Sequence, residues 1–348
     1  MKKKTRFSKK RKYIIIAVLA LLVLSAGFAA FYFSIFGNVM TNSEVSYIYI
    51  DNDDNIDSVR TKLEECGHPS SMQGFNILNH HTDYEHHIRI GRYEVSPTTS
   101  MLTIFRNLRN GQQTPVKLVV PSVRTVDALC DKLAKHLMLN GDDIRKLLTD
   151  EKYIRELGFT KETLPAMFIP NTYEVYWTTD AQKLISRLKS EYDNYWNEDR
   201  LSYARNQNLT PVEVSTLASI VDSETSRDQD KPIIAGLYLN RLKKHIRLAS
   251  DPTVVFAVGD FSLRRVLHRH LEIESPYNTY KHEGLPPGPI RISSVAGLES
   301  VLHPDDNDYI YMCAKEDFSG EHYYTSSETE HMANAKKYAE ALNRRNIH

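Results

Sequence analysis

Cysteine is scarce in this chain. Cys66, Cys130 and Cys313 are the only three among 348 residues. They can form one pair at most, and their spacing matches no metal motif. Cys66 and Cys130 sit in helix-like, partly apolar contexts, which suits small buried residues. There is no H-E-x-x-H arrangement. Fourteen histidines include His80-His81, His86-His87 and the near pair His268 and His270, but none stands at ligand spacing with cysteine. They read as solvated polar residues, so neither a metal nor another cofactor is expected. The chain also lacks a G-x-S-x-G elbow and a phosphate-binding loop, which removes support for serine hydrolases and nucleotide-dependent enzymes. The folded part has no basic surplus either. Eight Lys or Arg fall in residues 1–12 without one acid, leaving 36 basic against 44 acidic residues. A nucleic-acid partner would want a basic face there, so none is expected.

What is present is an ordinary globular composition, 41% hydrophobic and 25% charged. The length suffices for two compact domains and a tail. Ile14 to Phe36 is an uncharged run of 23 residues. As a helix it is about 34 Å long, enough to cross a bilayer of about 30 Å. The basic flank should stay cytoplasmic, which puts residues 40–348 outside, in the periplasm if an outer membrane exists. A cleaved signal peptide with a small-residue region at Ala26 to Ala30 is the competing reading. The run continues to Phe36, longer than such peptides need, and this favours a retained single-pass anchor. No cysteine lies near the run, which argues against a lipoprotein.

Residues 37–44 read as a linker. The pattern that follows predicts a strand at 45–50, helices at 55–63 and 71–80, a strand at 88–95 and a helix at 100–108. A similar order returns: strand 117–120, helix 126–133, further helix over 141–157, strand 168–176, and a helix from 182 to 196. Y-E-V-S-P-T-T (93–99) aligns with Y-E-V-Y-W-T-T (173–179), and I-D-S-V-R-T-K-L (56–63) with V-D-A-L-C-D-K-L (126–133). Two related β-α-α-β-α units, or a shared local topology, would explain both matches. N-E-D-R (197–200) reads as a polar connector. Helices are then expected at 210–224, 230–242, 250–259, 293–302 and 328–342, with strands at 309–314 and 322–325 around a turn at Ser319-Gly320. The class is α+β, with a mostly helical C-terminal half.

The run from Thr210 to Pro289 organises the rest. Thr210, Pro211 and Glu213 give an N-cap, a first-turn proline and a T-x-x-E capping box. Val214, Leu217, Ala218, Ile220 and Val221 recur at helical spacing, so one face should be buried. Asp222 and Glu224 stand just beyond it. A carboxyl at the rim of a buried helix can have a raised pKa, as a general acid needs. The plain alternative is two solvated charges ending a helix.

Five blocks occur in order: L-A-S-I-V-D-S-E-T (217–225), A-G-L-Y-L-N-R-L (235–242), R-L-A-S-D-P-T-V (247–254), Y-N-T-Y (277–280) and G-L-P-P-G-P-I (284–290). Together they resemble the MltG/YceG-like family, membrane-anchored endolytic transglycosylases of bacterial peptidoglycan. The resemblance implies that the acid of the S-I-x-x-x-E-T block, here Glu224, is catalytic. Family members often carry Glu where this chain has Asp222, which points to a supporting role there. It further implies a LysM-like β-α-α-β module over 45–115, a second α/β module over 116–200 and a catalytic domain over 201–348. The implied substrate is nascent glycan strands, cut between N-acetylmuramic acid and N-acetylglucosamine to leave 1,6-anhydro ends. The implied partners are glycan polymerases or transpeptidases.

Glycan cleavage needs a proton on the leaving oxygen and stabilisation of an oxocarbenium-like centre. One acid can serve both proton steps when the sugar's own 6-hydroxyl attacks, so Glu224 is assigned as acid and then base. Tyr277, Asn278, Thr279 and Tyr280 offer rings and amides suited to sugars. Gly284, Leu285, Pro286, Pro287 and Gly288 form a stiff loop able to present its backbone. Asn240 and Arg241 end a helix within reach of a cleft. For each of these, structural duty stands beside substrate contact. Asp251 reads as the cap of the helix begun by Pro252. A non-catalytic peptidoglycan-binding scaffold and a hydrolase remain alternatives. A hydrolase would want a second carboxylate, and Asp222, Asp251 and Glu283 are the nearby candidates.

Overall fold

The computed structural model describes residues 9–39, 44–67, 72–263 and 265–345. Most of the basic tail and residues 40–43 of the expected linker lie outside them. The chain divides into two units, Met1–Val116 with Glu174–Thr178, and Lys117–Tyr173 with Thr179–His348.

Unit 1 begins with α1 (Lys9–Phe36). Its span Lys10–Phe36 is the one candidate among the described residues that is long and apolar enough to cross a membrane. Most of its large apolar side chains are exposed, but Ile35 is buried. Then come β1 (Ser46–Ile50), α2 (Ile56–Gly67), α3 (Gln73–Thr82), β2 (Gly91–Val95) and α4 (Met101–Asn110). A Cβ on Gly74 would lie 1.9 Å from the carbonyl oxygen of Ser34. Only glycine lets α3 approach α1 so closely. Gly37 and Val39, read as the start of a linker, are tied down: Val39 N donates to Thr99 O at 2.8 Å and Met101 N to Gly37 O at 3.2 Å. β1 and β2 pair antiparallel, Ile48 opposite Tyr93 and Ile50 opposite Gly91. The second strand therefore starts at 91 and not at 88, because β1 has no residue left to pair. Ile48, Ile50, Val59, Leu63, Phe75, Tyr84 and Phe105 fill the core.

Next, β3 (Val116–Val120) and β4 (Asn171–Val175) form a two-stranded sheet. Between them lie α5 (Val126–Ala134), α6 (Gly141–Thr149) and α7 (Glu151–Glu156). The helix expected over 141–157 is broken because Asp150 is extended and its carboxylate accepts from Lys152 N and Tyr153 N, starting a new helix. After α8 (Ala181–Tyr195), the supposed connector is the start of α9 (Glu198–Asn206), with Asn197 as its cap.

The rest of unit 2 is built on α10 (Pro211–Glu224). Its capping box is complete: Thr210 accepts from Glu213 N, and the Glu213 carboxylate accepts from Thr210 N at 2.8 Å. Every residue from Val214 to Val221 is buried, so the helix is wrapped on all sides and not on one face. The hydroxyls of Ser215, Thr216 and Ser219 survive this burial by donating to carbonyls one turn back. Around α10 lie α11 (Lys231–Lys243), α12 (Asp251–Val258), the short α13 (His268–Leu271) and α14 (Val295–Leu302). The hairpin β5 (Tyr311–Ala314) and β6 (His322–Thr325) packs on the last helix, α15 (Glu328–Arg344). The whole is mixed helix with small two-stranded sheets, an α+β arrangement. All three cysteines are free; burial pushes the Cys130 thiol up to about 11.

Candidate active site

A cleft of about 790 Å³ opens in unit 2 beside the C-terminal end of α10. Asp222, Ser223, Glu224, Thr225 and Ser226 form its floor. Asp251, Phe256, Phe261, Arg124, Arg265, Arg291 and Tyr338 are among its walls. Histidine and cysteine are absent from the described residues that line it.

Glu224 is the last residue of α10, since Thr225 is extended and leaves the helix. Its oxygen Oε1 accepts two hydrogen bonds, from Tyr238 Oη and from Ser250 Oγ, each at 2.6 Å. Tyr238, on α11, is 2% exposed. Two donors on one oxygen leave Oε2 as the natural place for a proton. Burial raises the pKa of Glu224. The bonds from Ser250 and Tyr238 pull it down, the charge of Asp251 pushes it up, Arg241 pulls it down, and the net direction is upward. The negative end of the helix dipole acts in the same sense as burial. This is the profile of an acid that still holds its proton above the usual carboxylate range.

Ser250 stands at the N-cap of α12 without capping it. Its hydroxyl serves Glu224 instead. Its backbone N donates to Thr279 Oγ1 at 3.0 Å, and the preceding Ala249 N donates to Thr279 O at 3.1 Å. Ala249 has φ 47°, a left-handed conformation that costs a non-glycine residue about 1 kcal/mol or more. Thr279 holds the chain in this strained turn, and the turn aims Ser250 at the acid.

Asp222 has a different duty. Its side chain is 3% exposed and pairs with Lys231 Nζ at 2.9 Å. It also accepts from Ser294 N at 2.5 Å and Ser294 Oγ at 2.7 Å. A Cβ on Gly297 would meet this carboxylate at 2.6 Å, so the first turn of α14 closes on it. Burial works against the charge of Lys231, but Asp228 and Asp222 together raise its pKa. Asp222 thus locks α10 to α11 and α14.

Asp251 does not cap α12; it is the helix's first residue. Its carboxylate lies in the cleft wall and accepts from Tyr280 Oη at 2.6 Å. Partial desolvation raises its pKa, against the Tyr280 bond. Of the three candidate second carboxylates, it alone both lines the cleft and has a carboxylate free of an ion pair among the described residues. Asp222 is committed to Lys231, and Glu283 pairs with His245 at 2.8 Å outside the cleft.

The residues expected to touch substrate are placed otherwise. None of Asn240, Tyr277, Asn278, Thr279, Tyr280, Gly284, Leu285, Pro286 and Pro287 lines the cleft. Asn240 donates to the carbonyls of Asn307 and Tyr309 at 2.7 and 3.1 Å. Asn278 is fully buried and donates to Leu271 O and Ile273 O. Tyr277 backs Phe256 with ring centroids 4.7 Å apart. Leu285 packs on the core, and Gly288 is pressed against the chain: a Cβ there would meet Glu162 O at 2.1 Å. Arg241 staples Ile310 O and Leu248 O at 2.6 and 2.7 Å. Turn and amide residues went to hold backbone, because buried carbonyls must find donors. Their work is to support the walls from behind.

The sequence profile of the YceG-like family matches residues 48–337. The chain belongs to that family. Among curated relatives it is similar to the endolytic murein transglycosylase of Bacillus subtilis strain 168, 36% identical over 183 residues, 53% of this chain and 50% of that one. The endolytic murein transglycosylase of Streptococcus pneumoniae D39 is 26% identical over 318 residues, 82% of this chain and 56% of that protein. The chain spans about half the length of the curated relatives it matches. Among solved structures, a YceG-like protein from Listeria monocytogenes has a TM-score of 0.57 at 27% identity, covering 84% of this chain and 99% of its own.

Within this YceG-like chain, Tyr238 and Ser250 are the functional-looking residues that sequence reasoning passed over. Both lie inside the quoted blocks, Tyr238 in A-G-L-Y-L-N-R-L and Ser250 in R-L-A-S-D-P-T-V. A tyrosine amid a buried helical stripe reads as core, and a serine before Asp-Pro reads as a cap. Their common target is set only by packing α11 and α12 on α10.

Proposed function

We propose that this protein is a membrane-anchored endolytic lytic transglycosylase of peptidoglycan. It would cut the bond between N-acetylmuramic acid and N-acetylglucosamine inside nascent strands, leave 1,6-anhydro-muramic ends and so end glycan elongation. The observation that carries this reading is the Glu224 carboxyl, held on Oε1 by Tyr238 and Ser250 in an open cleft, with its pKa raised by burial. The names of the relatives from B. subtilis and S. pneumoniae support the same reaction class.

In this mechanism Glu224 donates its Oε2 proton to the glycosidic oxygen as the C1–O bond breaks. The new carboxylate, steadied by its two donors, faces the oxocarbenium-like carbon. It then takes the proton of the muramic 6-hydroxyl while that oxygen bonds to C1. The proton returns to Glu224 and no water is consumed. Phe256, Phe261 and Tyr338 supply apolar faces for sugar rings. Asp222 and Asp251 support the site, the first by fixing α10, the second by its charge. Asn240, the Y-N-T-Y block and Gly284 to Pro287 act on substrate indirectly, through the walls they brace.

Helix α1 would be the single-pass anchor, with the basic tail cytoplasmic and the cleft outside. Residues 45–115 would be a LysM-like module holding glycan, 116–200 a second module and 201–348 the catalytic part. Glycan polymerases or transpeptidases are the partners such an anchor would meet.

A second reading is favoured by one observation. Asp251 lines the same cleft and its charge acts on Glu224. A second carboxylate is what a water-using hydrolase needs. Product analysis separates the two. The full chain in detergent micelles is incubated with uncrosslinked strands, beside a Glu224→Gln variant, and products are weighed by mass spectrometry. Internal fragments with 1,6-anhydro ends from wild type alone support the lyase. Reducing ends would replace it with the hydrolase, and intact but bound strands with the scaffold.

A further inference from the structure

Ile48 and Ile50 of β1 point into the core of unit 1, so Val45, Tyr47 and Tyr49 point out. The outer face of an antiparallel ribbon that covers a core is normally polar. β2 obeys this rule with Arg92 and Glu94, which stand opposite Tyr49 and Tyr47. β1 does not. Tyr47 and Tyr49 stay 37% and 43% exposed, and Val45 ahead of them is exposed too.

Both rings have fixed neighbours. Tyr49 meets Trp177 edge to face, with ring centroids 5.2 Å apart. Trp177 follows β4 in the stretch Glu174–Thr178 that belongs to unit 1. The next residue, Thr178, accepts from Gln113 Nε2 at 2.9 Å, and Tyr176 on the other side is exposed. Arg92 donates to Thr114 O and Pro115 O at 3.2 and 2.6 Å, and its guanidinium lies 3.5 Å from the centre of the Tyr47 ring. Arg92 therefore takes one face of Tyr47. The edge-to-face contact leaves ring face free on Tyr49 and on Trp177.

Sugar rings have apolar C–H faces that lie on aromatic rings and polar rims that need hydrogen bonds. Tyr49 and Trp177 supply rings with a hydroxyl and an N–H at their edges, and Arg92 and Glu94 supply further polar groups on the same face. The two charges oppose each other, which suits a neutral polymer. The ribbon is too small for a protein partner. Two five-residue strands make a face of about 17 Å by 10 Å, or roughly 170 Å², against the roughly 800 Å² that each side of a stable complex buries. A single glycan chain is narrow enough to lie along it.

We propose that Tyr49 and Trp177 form a glycan-binding platform on unit 1, for a neutral chain of N-acetylated sugars. None of its residues lines the Glu224 cleft, so it is a second place of contact with the strand. Trp177 also lies outside the module expected over 45–115. The choice of ligand rests on the glycan-cleaving reading above.

Tryptophan emission tests the platform without turnover. Trp177 and Trp196 are the only tryptophans, and Trp196 is 6% exposed, so a ligand on the surface reports through Trp177. Full-length protein in micelles, carrying Glu224→Gln, is titrated with oligomers of N-acetylglucosamine. A saturable change in emission is expected, and adding Trp177→Phe should remove it. Tyr49→Ala should weaken the affinity read by Trp177 at least about fivefold, and Tyr49→Phe should keep it within about twofold. Phe261→Ala, in the cleft, should leave it unchanged. Neither Tyr49 nor Trp177 belongs to the buried core of unit 1, so these variants should melt like the parent. No saturable change, a change that survives Trp177→Phe, or an affinity lost with Phe261→Ala and indifferent to Tyr49→Ala overturns the proposal. Cleavage by wild type is scored separately. Cutting without a Trp177 response removes the platform and keeps the lyase, and a response without cutting keeps the platform and removes the lyase.

Discussion

The hydroxyl of Tyr238 meets Oε1 of Glu224 at 2.6 Å, in a position 2% exposed to solvent. The phenol donates to this oxygen, beside Ser250 on the same atom. The pair of donors favours the ionised carboxylate, against the burial that favours the acid.

Tyr238→Phe removes one of these donors, so the pKa of Glu224 should rise further. A general acid works while protonated. The alkaline limb of the pH–rate profile should therefore move to higher pH. Looser orientation should lower kcat by about tenfold or more. A profile and kcat that match wild type would deny Tyr238 its positioning role.

Asp251→Asn should act in the opposite direction. Its negative charge raises the pKa of Glu224. Without it the alkaline limb should move to lower pH, more visibly at low salt because Asp251 is solvent-exposed. If the lyase chemistry holds, 1,6-anhydro ends persist in this variant. Their disappearance would place Asp251 in the reaction itself.

Glu224→Gln should stabilise the fold at alkaline pH. The folded pKa lies above the ordinary value for a glutamate carboxyl, because of burial. Stability from this proton is full below the unfolded pKa and is lost as pH rises through the folded one. Each tenfold difference in proton affinity is about 1.4 kcal/mol, or roughly 3–6 °C in Tm for a unit of this size. Glutamine can still accept from Tyr238 and Ser250. Melting curves should separate at pH 8, variant above wild type, and converge toward pH 4. Parallel curves at both pH values would contradict the buried-acid account.

Lys231→Met leaves the Asp222 carboxylate buried without its cation. Breaking one side of such a pair costs about 3–5 kcal/mol. Calorimetry should show a large loss of Tm. Gly297→Ala should destabilise for a steric reason, because its Cβ would lie 2.6 Å from Asp222 Oδ2. If both variants melt like wild type, Asp222 does not hold α10 to α11 and α14.

Much of the local structure was legible because its signals are local. Thr210, Pro211 and Glu213 announce α10, and the capping box forms as written. The alternation of S-Y-I-Y-I (46–50) gives β1, and its hydrophobic sites at Ile48 and Ile50 point inward. Asp150 and Asn197 misled, since each is a polar breaker that became a cap once the next turn was helical. The Y-N-T-Y and G-L-P-P-G blocks were less legible. Structural duty and substrate contact were both open for them, and the fold uses Asn278, Tyr277 and Thr279 to satisfy backbone carbonyls and to back Phe256 and Ser250.

The sequence by itself determined most of the helices and strands, the apolar helix α1 and the family, and it singled out Glu224 as a candidate acid. Those rest on periodicity, capping and contiguous blocks, which a chain carries along its length. Only the tertiary structure decided which groups surround that acid. Tyr238 and Ser250 lie 14 and 26 residues from Glu224, and Ser294 lies 72 from Asp222. Such separations have no periodic signature. They become contacts when α11, α12 and α14 pack around the buried middle of α10, and that packing gives Glu224 two donors on one oxygen and its neighbour two residues away an ion pair with Lys231.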